Sequence, residues 1–373
     1  MSPEHDADGR RGADALLLLG CCALAVALGV APGQDASWDL RNYHFYNPHA
    51  WLRQRHLLDL APAQIQSWLL PAWDLLYYGL ARSGVPSWAG AAVLSLPAGV
   101  ALFLLALVAR RLAPRHARGW TLACIVAMGA TAAGGGPVIG TTMSEWHVTA
   151  LLMGALLLVL AGRDRVERRL ALLGLAGLCA GAATGFKLTG APYALGLAAL
   201  VVGFPGPTRQ RLGSLAVLGL GGLAGFLAVY GPWGWELYRR SGNPFFPFLN
   251  DVFRSPLWFA RPYREEPFAA RSALDLVSLP FKLLRTSSSL VSELPLRDAR
   301  LALALPALAF LAFARRGLDA AERTRWRAVA SMFVTSYLAW AGLLGVMRFA
   351  GTLELLAAAA IGVAGAALVP DRP

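Results

Sequence analysis

The sequence carries little charge for its length, because only 15% of its 373 residues are Asp, Glu, Lys or Arg, whereas 56% are hydrophobic. Soluble domains carry about 25% charged residues, so this composition excludes an ordinary soluble fold. Stretches of alternating polar and apolar residues, which are typical of outer-membrane barrels, are also missing. We therefore predict an all-α protein whose helices lie in a lipid bilayer.

Cysteine is scarce and forms no pattern. Cys21, Cys22, Cys124 and Cys179 all fall within apolar stretches, where they behave as small hydrophobic residues. The sequence has no Cys-x-x-Cys pair and no Cys/His spacing of a metal site. We therefore predict neither a disulfide framework nor a metal or other cofactor.

What the sequence does contain is a series of runs rich in Leu, Ala, Val and Gly, each close to the ~20 residues that a helix needs to cross the hydrocarbon core. We predict one polytopic transmembrane helical bundle over residues 1–373, with about ten spans. The predicted spans are 13–33, 88–109, 119–138, 147–162, 170–185, 187–204, 213–233, 299–314, 328–346 and 352–369. Two long loops, 34–87 and 234–298, then lie on one side of the membrane.

Arginine in the short loops indicates the orientation. It clusters after the second, fourth, sixth and eighth spans, at Arg110, Arg111, Arg115, Arg118, Arg163, Arg165, Arg168, Arg169, Arg209, Arg211, Arg315, Arg316, Arg323, Arg325 and Arg327. The positive-inside rule places these loops, and with them both termini, in the cytoplasm. The net charge of +12 is thus a signal of topology and not of nucleic-acid binding. The loops 34–87 and 234–298 become periplasmic loops of an inner-membrane protein.

The two periplasmic loops have different character. In the first, Asn47-Pro48 and Ala61-Pro62 predict the starts of two interfacial helices, because Pro suits the first helical turn. Their Trp and Leu side chains can rest on the bilayer surface. In the second, the Pro, Gly and aromatic residues of 238–256 predict a fixed irregular path.

Polar side chains gather at the periplasmic ends of the predicted spans. They are Asp35, Asp39, Arg41, His44, Glu145, His147, Lys187, Asn243, Asn250, Arg348 and Glu354. Ionisable groups at membrane depth are costly and commonly mark a functional cavity. We therefore predict that these residues meet in one site, whereas Asp59 and Asp74 face water on the interfacial helices.

Each of these residues also has a simpler interpretation when taken alone. Lys187 or Arg348 near a helix end can extend to the lipid headgroups. Glu145 can be a carboxylate favoured by a helix N-terminus, His147 an interfacial histidine, and Asp35 a loop residue without a task. Their occurrence on one side of the membrane is what favours a common site.

A carboxylate among cations at the bilayer surface suits chemistry on a lipid phosphate. Cations can hold the phosphate and stabilise it as a leaving group. A carboxylate can take the proton from an acceptor hydroxyl. We assign this base to Asp39, with Asp35 as the fallback and Glu145 as a further catalytic candidate, and phosphate binding to Lys187 and Arg348. The remaining polar residues would shape the sugar or acceptor site.

In layout, the chain resembles the GT-C superfamily of integral-membrane glycosyltransferases. The resemblance rests on Asp39 in WDLRNYHFYNP, Glu145 in TTMSEWHVTALL, Lys187 in GFKLTGAPYALG, the stretch SGNPFFPFLN, and Arg348 with Glu354 in MRFAGTLELL. It implies a polyprenyl-phosphate-linked sugar donor and a glycan or lipid acceptor of the cell envelope. It also implies a catalytic first-loop acid at Asp39, a second acidic group at Glu145 and a late basic residue, Arg348, at the donor phosphate.

Two other classes of function remain open. A transporter or flippase of lipid-linked intermediates would place its polar groups near the midplane and often shows inverted repeats. Here the polar groups lie at one side, and the sequence has no internal repeat. A non-catalytic assembly subunit would tolerate the loss of Asp39 and Arg348 together.

Overall fold

The computed structural model describes residues 3–55, 58–59, 63–114, 119–261, 268–285, 296–314 and 317–369, and within them the chain is helical without strands. The α-helices are α1 Pro3–Val30, α2 Tyr46–Leu52, α3 Asp74–Arg82, α4 Ser87–Leu112, α5 Gly119–Ala130, α6 Glu145–Asp164, α7 Arg169–Phe186, α8 Ala191–Val202, α9 Thr208–Ser241, α10 Asn250–Phe253, α11 Ala273–Arg285, α12 Arg300–Phe313, α13 Ala320–Leu343 and α14 Gly351–Leu368. The all-α prediction is confirmed.

Six helical stretches of the described chain are long and apolar enough to cross a membrane. They are Arg11–Val30, Ser87–Leu112, Glu145–Asp164, Val166–Phe186, Thr208–Ser241 and Met347–Leu368. Three shorter apolar helices are Gly119–Ala130, Leu188–Val202 and Arg300–Phe313. Helix α13 is long, but its first two turns carry Glu322, Arg323, Arg325 and Arg327. The chain is therefore a helical membrane protein.

Several helices differ in extent from the predicted spans, as α5 and α9 show. Helix α5 ends at Ala130 and not near 138, because the sequence GGGP at 134–137 cannot continue a regular helix. Helix α9 continues past 233 to Ser241, with Pro232 inside it. Gly242 stops it in the left-handed conformation, at φ 72°, which is the usual glycine signal at a helix C-terminus.

Helix α14 forms the centre of the bundle. In the apolar window of Met347–Leu368, 78% of the residues are buried, as against 17% in the windows of α1 and α9. α14 packs against α12 and α5, while α4 contacts α1 and α6. A helix that other helices surround holds the residues just before it at a fixed position. This matters because Arg348 lies in the 3-10 turn Met347–Ala350 that leads into α14.

Helices α7 and α9 approach each other through glycine. A Cβ atom added to Gly181 would lie 1.9 Å from the backbone oxygen of Gly222, and one added to Gly177 would lie 2.1 Å from that of Leu218. Small residues at such spacings let membrane helices pack backbone to backbone. This close contact fixes the end of α7, after which Lys187 follows in extended conformation.

The loops at one end of the bundle are folded. After α1, the first loop forms a π-helical turn, Leu40–His44, and then α2, which begins at Tyr46 beside the predicted start. The second predicted start, Ala61-Pro62, lies outside the described residues. The loop continues through a 3-10 helix, Gln64–Trp68, and α3.

The second loop begins later than predicted, because α9 occupies residues 234–241. Its described residues 242–261 then follow an irregular path with one short helix, α10, and further along the loop forms α11. The predicted irregular path is thus wrong for 238–241 and for the turn Asn250–Phe253.

Candidate functional site

Four of the predicted site residues form two ion pairs that contact each other. Nη1 of Arg348 donates to Oδ2 of Asp39 at 2.9 Å, and Nζ of Lys187 donates to Oε1 of Glu145 at 2.7 Å. Nε of Arg348 lies 3.8 Å from the same Glu145 oxygen. The residues come from four separate parts of the chain, so the fold builds this cluster. We call Asp39, Glu145, Lys187 and Arg348 the ion-pair cluster.

Each member of the ion-pair cluster lies at a helix boundary. Asp39 precedes the π-helical turn, Glu145 begins α6, Lys187 follows α7, and Arg348 precedes α14. The ring of Phe349 lies 5.0 Å from the Lys187 ammonium and 5.2 Å from the Arg348 guanidinium carbon. Cation–π contacts at these distances help to hold both cations side by side.

The ion-pair cluster is largely shielded from solvent. The exposed fraction of the side chain is 5% for Glu145, 13% for Asp39, 20% for Arg348 and 23% for Lys187. Glu145 Oε2 is buried and makes no hydrogen bond within the described structure. Buried charges persist only where opposite charges compensate them, so the two carboxylates and two cations depend on each other.

A cavity of about 420 Å³ lies beside the ion-pair cluster. Its wall is mainly apolar and rich in aromatic residues, with Trp68, Trp73, Phe186, Tyr230, Phe245, Phe246, Phe248 and Phe349. Lys187, Arg348 and His44 are among its polar lining residues. Asp39 and Glu145 are not part of the described lining and contact the two lining cations instead. An apolar pocket with a few convergent polar groups is the usual form of a ligand site.

A second buried pair lies on the same wall. Nδ1 of His44 lies 2.7 Å from Oδ1 of Asp74, and both side chains are less than a tenth exposed. The prediction that Asp74 faces water is therefore wrong, because its position at the start of α3 turns it toward His44 instead of solvent. Burial raises the pKa of Asp74, and the nearby His44 and Lys187 oppose this rise.

Tyr43 lies near both the His44–Asp74 pair and Asp39 of the ion-pair cluster. Its ring centroid lies 4.2 Å from that of His44, and it also lines the cavity. Burial and then the Asp39 carboxylate raise the pKa of Tyr43 well above its ordinary value. Tyr43 therefore stays protonated at neutral pH and is available as a hydrogen-bond donor near Asp39.

Asp35, the fallback base, fastens the first loop to the connection between α5 and α6. Its Oδ2 accepts from the Thr142 backbone N at 3.0 Å and from the Thr142 hydroxyl at 2.9 Å, and its Oδ1 accepts from Ser37 N at 2.8 Å. Burial alone would raise the pKa of Asp35, but these hydrogen bonds outweigh it and lower the pKa below its usual value. The geometry gives Asp35 a structural task.

Asp35→Ala should loosen this attachment and lower the stability of the purified protein by about 1.5–3 kcal/mol, the range for hydrogen bonds to a charged group. Since the folded state lowers the pKa, the contribution is present above the unfolded pKa and is lost as pH falls through the lower folded value. Thermal unfolding of both proteins should therefore differ at pH 7 and converge only in acid below about pH 4. An equal difference at all pH values would contradict this account.

Three other predicted binding residues have internal partners. Glu354 is fully buried and accepts from the backbone N of Gly134 at 2.9 Å and of Gly135 at 3.0 Å, so it holds the turn after α5. Asn243 donates to the backbone oxygen of Phe248 at 2.8 Å, and Asn250 donates to that of Trp258 at 3.0 Å. Neither asparagine is among the described cavity-lining residues, but both shape the loop that supplies its aromatic wall.

Two predicted residues remain at the edge of the site. Arg41 is exposed on the π-helical turn. His147 is buried, and its ring lies 4.1 Å from that of Trp73, behind the cavity wall. The sequence analysis missed Asp74 as a residue of the site. A signal for Asp74 was present, since it is an acid within the otherwise apolar stretch PAWDLLYY.

The opposite end of the bundle carries Arg110 and Arg111 of the first predicted cytoplasmic loop, whereas Arg115, Arg118, Arg315 and Arg316 lie outside the described residues. Arg110 pairs with Asp14 at 2.5 Å, and Arg111 pairs with Asp164 at 2.9 Å. These residues lie at the other ends of α1, α4 and α6 from the ion-pair cluster. The candidate site therefore occupies the end of the bundle that is remote from the arginine-rich loops.

Among the described residues, no three His, Cys, Asp or Glu side chains come together as possible metal ligands. No known protein family, curated protein or solved structure matches the chain. The function is therefore argued from the geometry of the site.

Proposed function

We propose that the protein is a membrane glycosyltransferase that transfers a sugar from a polyprenyl phosphate to a glycan or lipid of the cell envelope. The observation that carries the proposal is the position of Lys187 and Arg348 together on a mainly apolar cavity wall that is rich in aromatic residues. Guanidinium and ammonium groups bind phosphate oxygens. Aromatic walls suit both an isoprenoid chain and the apolar face of a sugar.

The reaction consumes only the donor and the acceptor. An acceptor hydroxyl oxygen attacks the anomeric carbon and forms the new C–O bond, while the bond from that carbon to the phosphate oxygen breaks. The phosphate leaves with the bonding electron pair, and Lys187 and Arg348 stabilise its added negative charge. The hydroxyl proton passes to a base of the protein.

Two groups beside the cavity are candidates for this base. Asp39 is the one that the sequence predicts, and its ion pair with Arg348 keeps it close to the expected phosphate. His44 is the other, and it lines the cavity itself. Glu145 would hold Lys187 and Arg348 at the spacing that the phosphate requires.

We further propose the topology of a GT-C-like enzyme. The ten predicted spans each contain a helix, namely α1, α4–α9 and α12–α14, and we propose that all of them cross an inner membrane. The arginine-rich end and both termini would be cytoplasmic, which puts the site on the periplasmic side. The loops that follow α1 and α9 would cover it there.

The proposal is tested by mass spectrometry of lipid-linked sugars in cells that lack the gene. One polyprenyl-phosphate monosaccharide should accumulate several-fold, and the wild-type gene should clear it. A variant with both Asp39→Asn and Arg348→Gln should fail to clear it. If the protein were a non-catalytic assembly subunit, the same variant would clear it. An unchanged lipid profile would overturn the proposal.

A further inference from the structure

We infer that His44 is the general base of the transfer reaction and that Asp74 is its positioning residue. This inference rests on the proposed function and names the group that takes the acceptor's proton. It also gives Asp39 another task, which is to hold Arg348.

The pair of His44 and Asp74 has the geometry of an oriented base. Their contact of 2.7 Å is a short hydrogen bond, and it joins the π-helical turn to α3. With Asp74 ionised and His44 neutral, the carboxylate can only accept, which places the imidazole proton on Nδ1 and the lone pair on Nε2. A buried acid that fixes the tautomer in this way also stabilises the imidazolium that forms when Nε2 takes a proton.

Nε2 of His44 is the ring nitrogen without a hydrogen-bond partner in the described structure. It is buried and makes no hydrogen bond there, although His44 lines the cavity. An unpaired buried polar atom costs about 1–3 kcal/mol. A folded protein keeps such an unpaired atom where a bound ligand supplies the missing hydrogen-bond donor. The hydroxyl group of the acceptor substrate is such a donor.

Asp39 is less suited to the same role in this geometry. Its Oδ2 already accepts a hydrogen bond from Arg348 at 2.9 Å, so this oxygen is engaged by a cation. It is also not among the described lining residues, whereas His44, Asp74 and Arg348 are. The arrangement therefore separates two tasks: Asp39 and Glu145 fix the cations for the phosphate, and Asp74 fixes the base.

The proton balance is then complete. As the acceptor oxygen bonds to the anomeric carbon, its proton moves to Nε2 of His44, and the phosphate leaves with the electron pair of the broken bond. Asp74 remains ionised and faces the new imidazolium. The imidazolium returns its proton to water after the products leave.

The test uses the full-length protein in liposomes, the lipid-linked sugar that accumulates in the deletion cells as donor, and an envelope fraction as acceptor. His44→Asn keeps a donor toward Asp74 but removes Nε2, so the variant should fold. A base contributes about 100- to 10,000-fold, so kcat should fall by that factor while KM for the donor stays within a few-fold. Asp74→Asn should lower kcat in the same way.

Two further variants make the assignment specific. Asp39→Asn should lose no more than about 100-fold and mainly through a higher KM, as expected for one hydrogen bond to a charged group. Added imidazole should restore part of the activity of His44→Ala. The control is His49→Ala, because His49 contacts Tyr78 on α3 and is not a described lining residue.

The outcomes separate the two proposals. If wild type transfers sugar and the kcat of His44→Asn lies within about 10-fold of the wild-type value, the role of His44 is overturned, since a general base contributes more than that. A kcat loss in Asp39→Asn larger than that in His44→Asn would also overturn it and return the base to Asp39. Absence of transfer by wild type would overturn the proposed function itself and, with it, this inference.

Discussion

Arg348→Gln should reduce sugar transfer by about 100- to 1,000-fold, the usual cost of removing one donor that stabilises developing negative charge. Arg348 is the cation that joins the parts of the site, because it contacts both Asp39 and Glu145 and also lines the cavity. Glutamine keeps a hydrogen-bond donor for Asp39 but removes the positive charge. The loss should appear in kcat and in donor binding together, since phosphate is held in the ground state and gains charge in the transition state.

The matched control is Arg41→Gln. Arg41 lies on the same end of the molecule but is exposed, so its loss should change transfer by less than a few-fold. Initial rates of the three proteins in liposomes give the comparison. Equal losses in the two variants would mean that only the general positive charge of this surface matters, which would contradict the specific role of Arg348.

Lys187→Met should have the largest effect on folding. It leaves the Glu145 carboxylate, which is 5% exposed, without its 2.7 Å partner. Breaking a buried ion pair from one side costs about 3–5 kcal/mol, because the remaining charge stays buried. Lys187 is itself partly exposed and Arg348 lies near the same oxygen, so a value near the lower limit is expected. Thermal unfolding of the purified protein measures this loss.

The double variant Lys187→Met/Glu145→Gln separates stability from function. With both charges removed, most of the lost stability should return, as is usual when a buried pair is replaced as a unit. Sugar transfer should not return, because the phosphate would still lack Lys187. A stable double variant with wild-type transfer rates would show that Lys187 serves the fold alone.

The sequence was sufficient to predict a helical membrane protein and to predict that several polar groups gather at one end of its bundle. Asp39, Glu145, Lys187 and Arg348 each follow or precede an apolar run, and helix length alone places such residues at the membrane surface. That they form pairs could not be read from the sequence, since Arg348 and Asp39 are 309 positions apart. Contacts of this kind depend on which helices pack together.

Other residues show why the role of a polar group is harder to predict than its location. Glu354 and Asp35 are carboxylic acids like catalytic acids. Their carboxylates, however, accept hydrogen bonds from the backbone N–H groups of Gly134 and Thr142, respectively. The Asp74 side chain was predicted to face water because its helix was expected to lie on the bilayer surface. Its burial depends on His44, thirty positions earlier, and no periodicity reports such a pairing.

The most direct test of sugar transfer follows the sugar and the lipid separately. The reconstituted protein receives the donor from deletion cells with its sugar labelled, together with the envelope fraction. We expect label in the acceptor and one free polyprenyl phosphate for each sugar that is transferred, with about 100- to 1,000-fold less label transferred by Arg348→Gln. Label that crosses the liposome membrane while still attached to the lipid would contradict this account and identify a flippase.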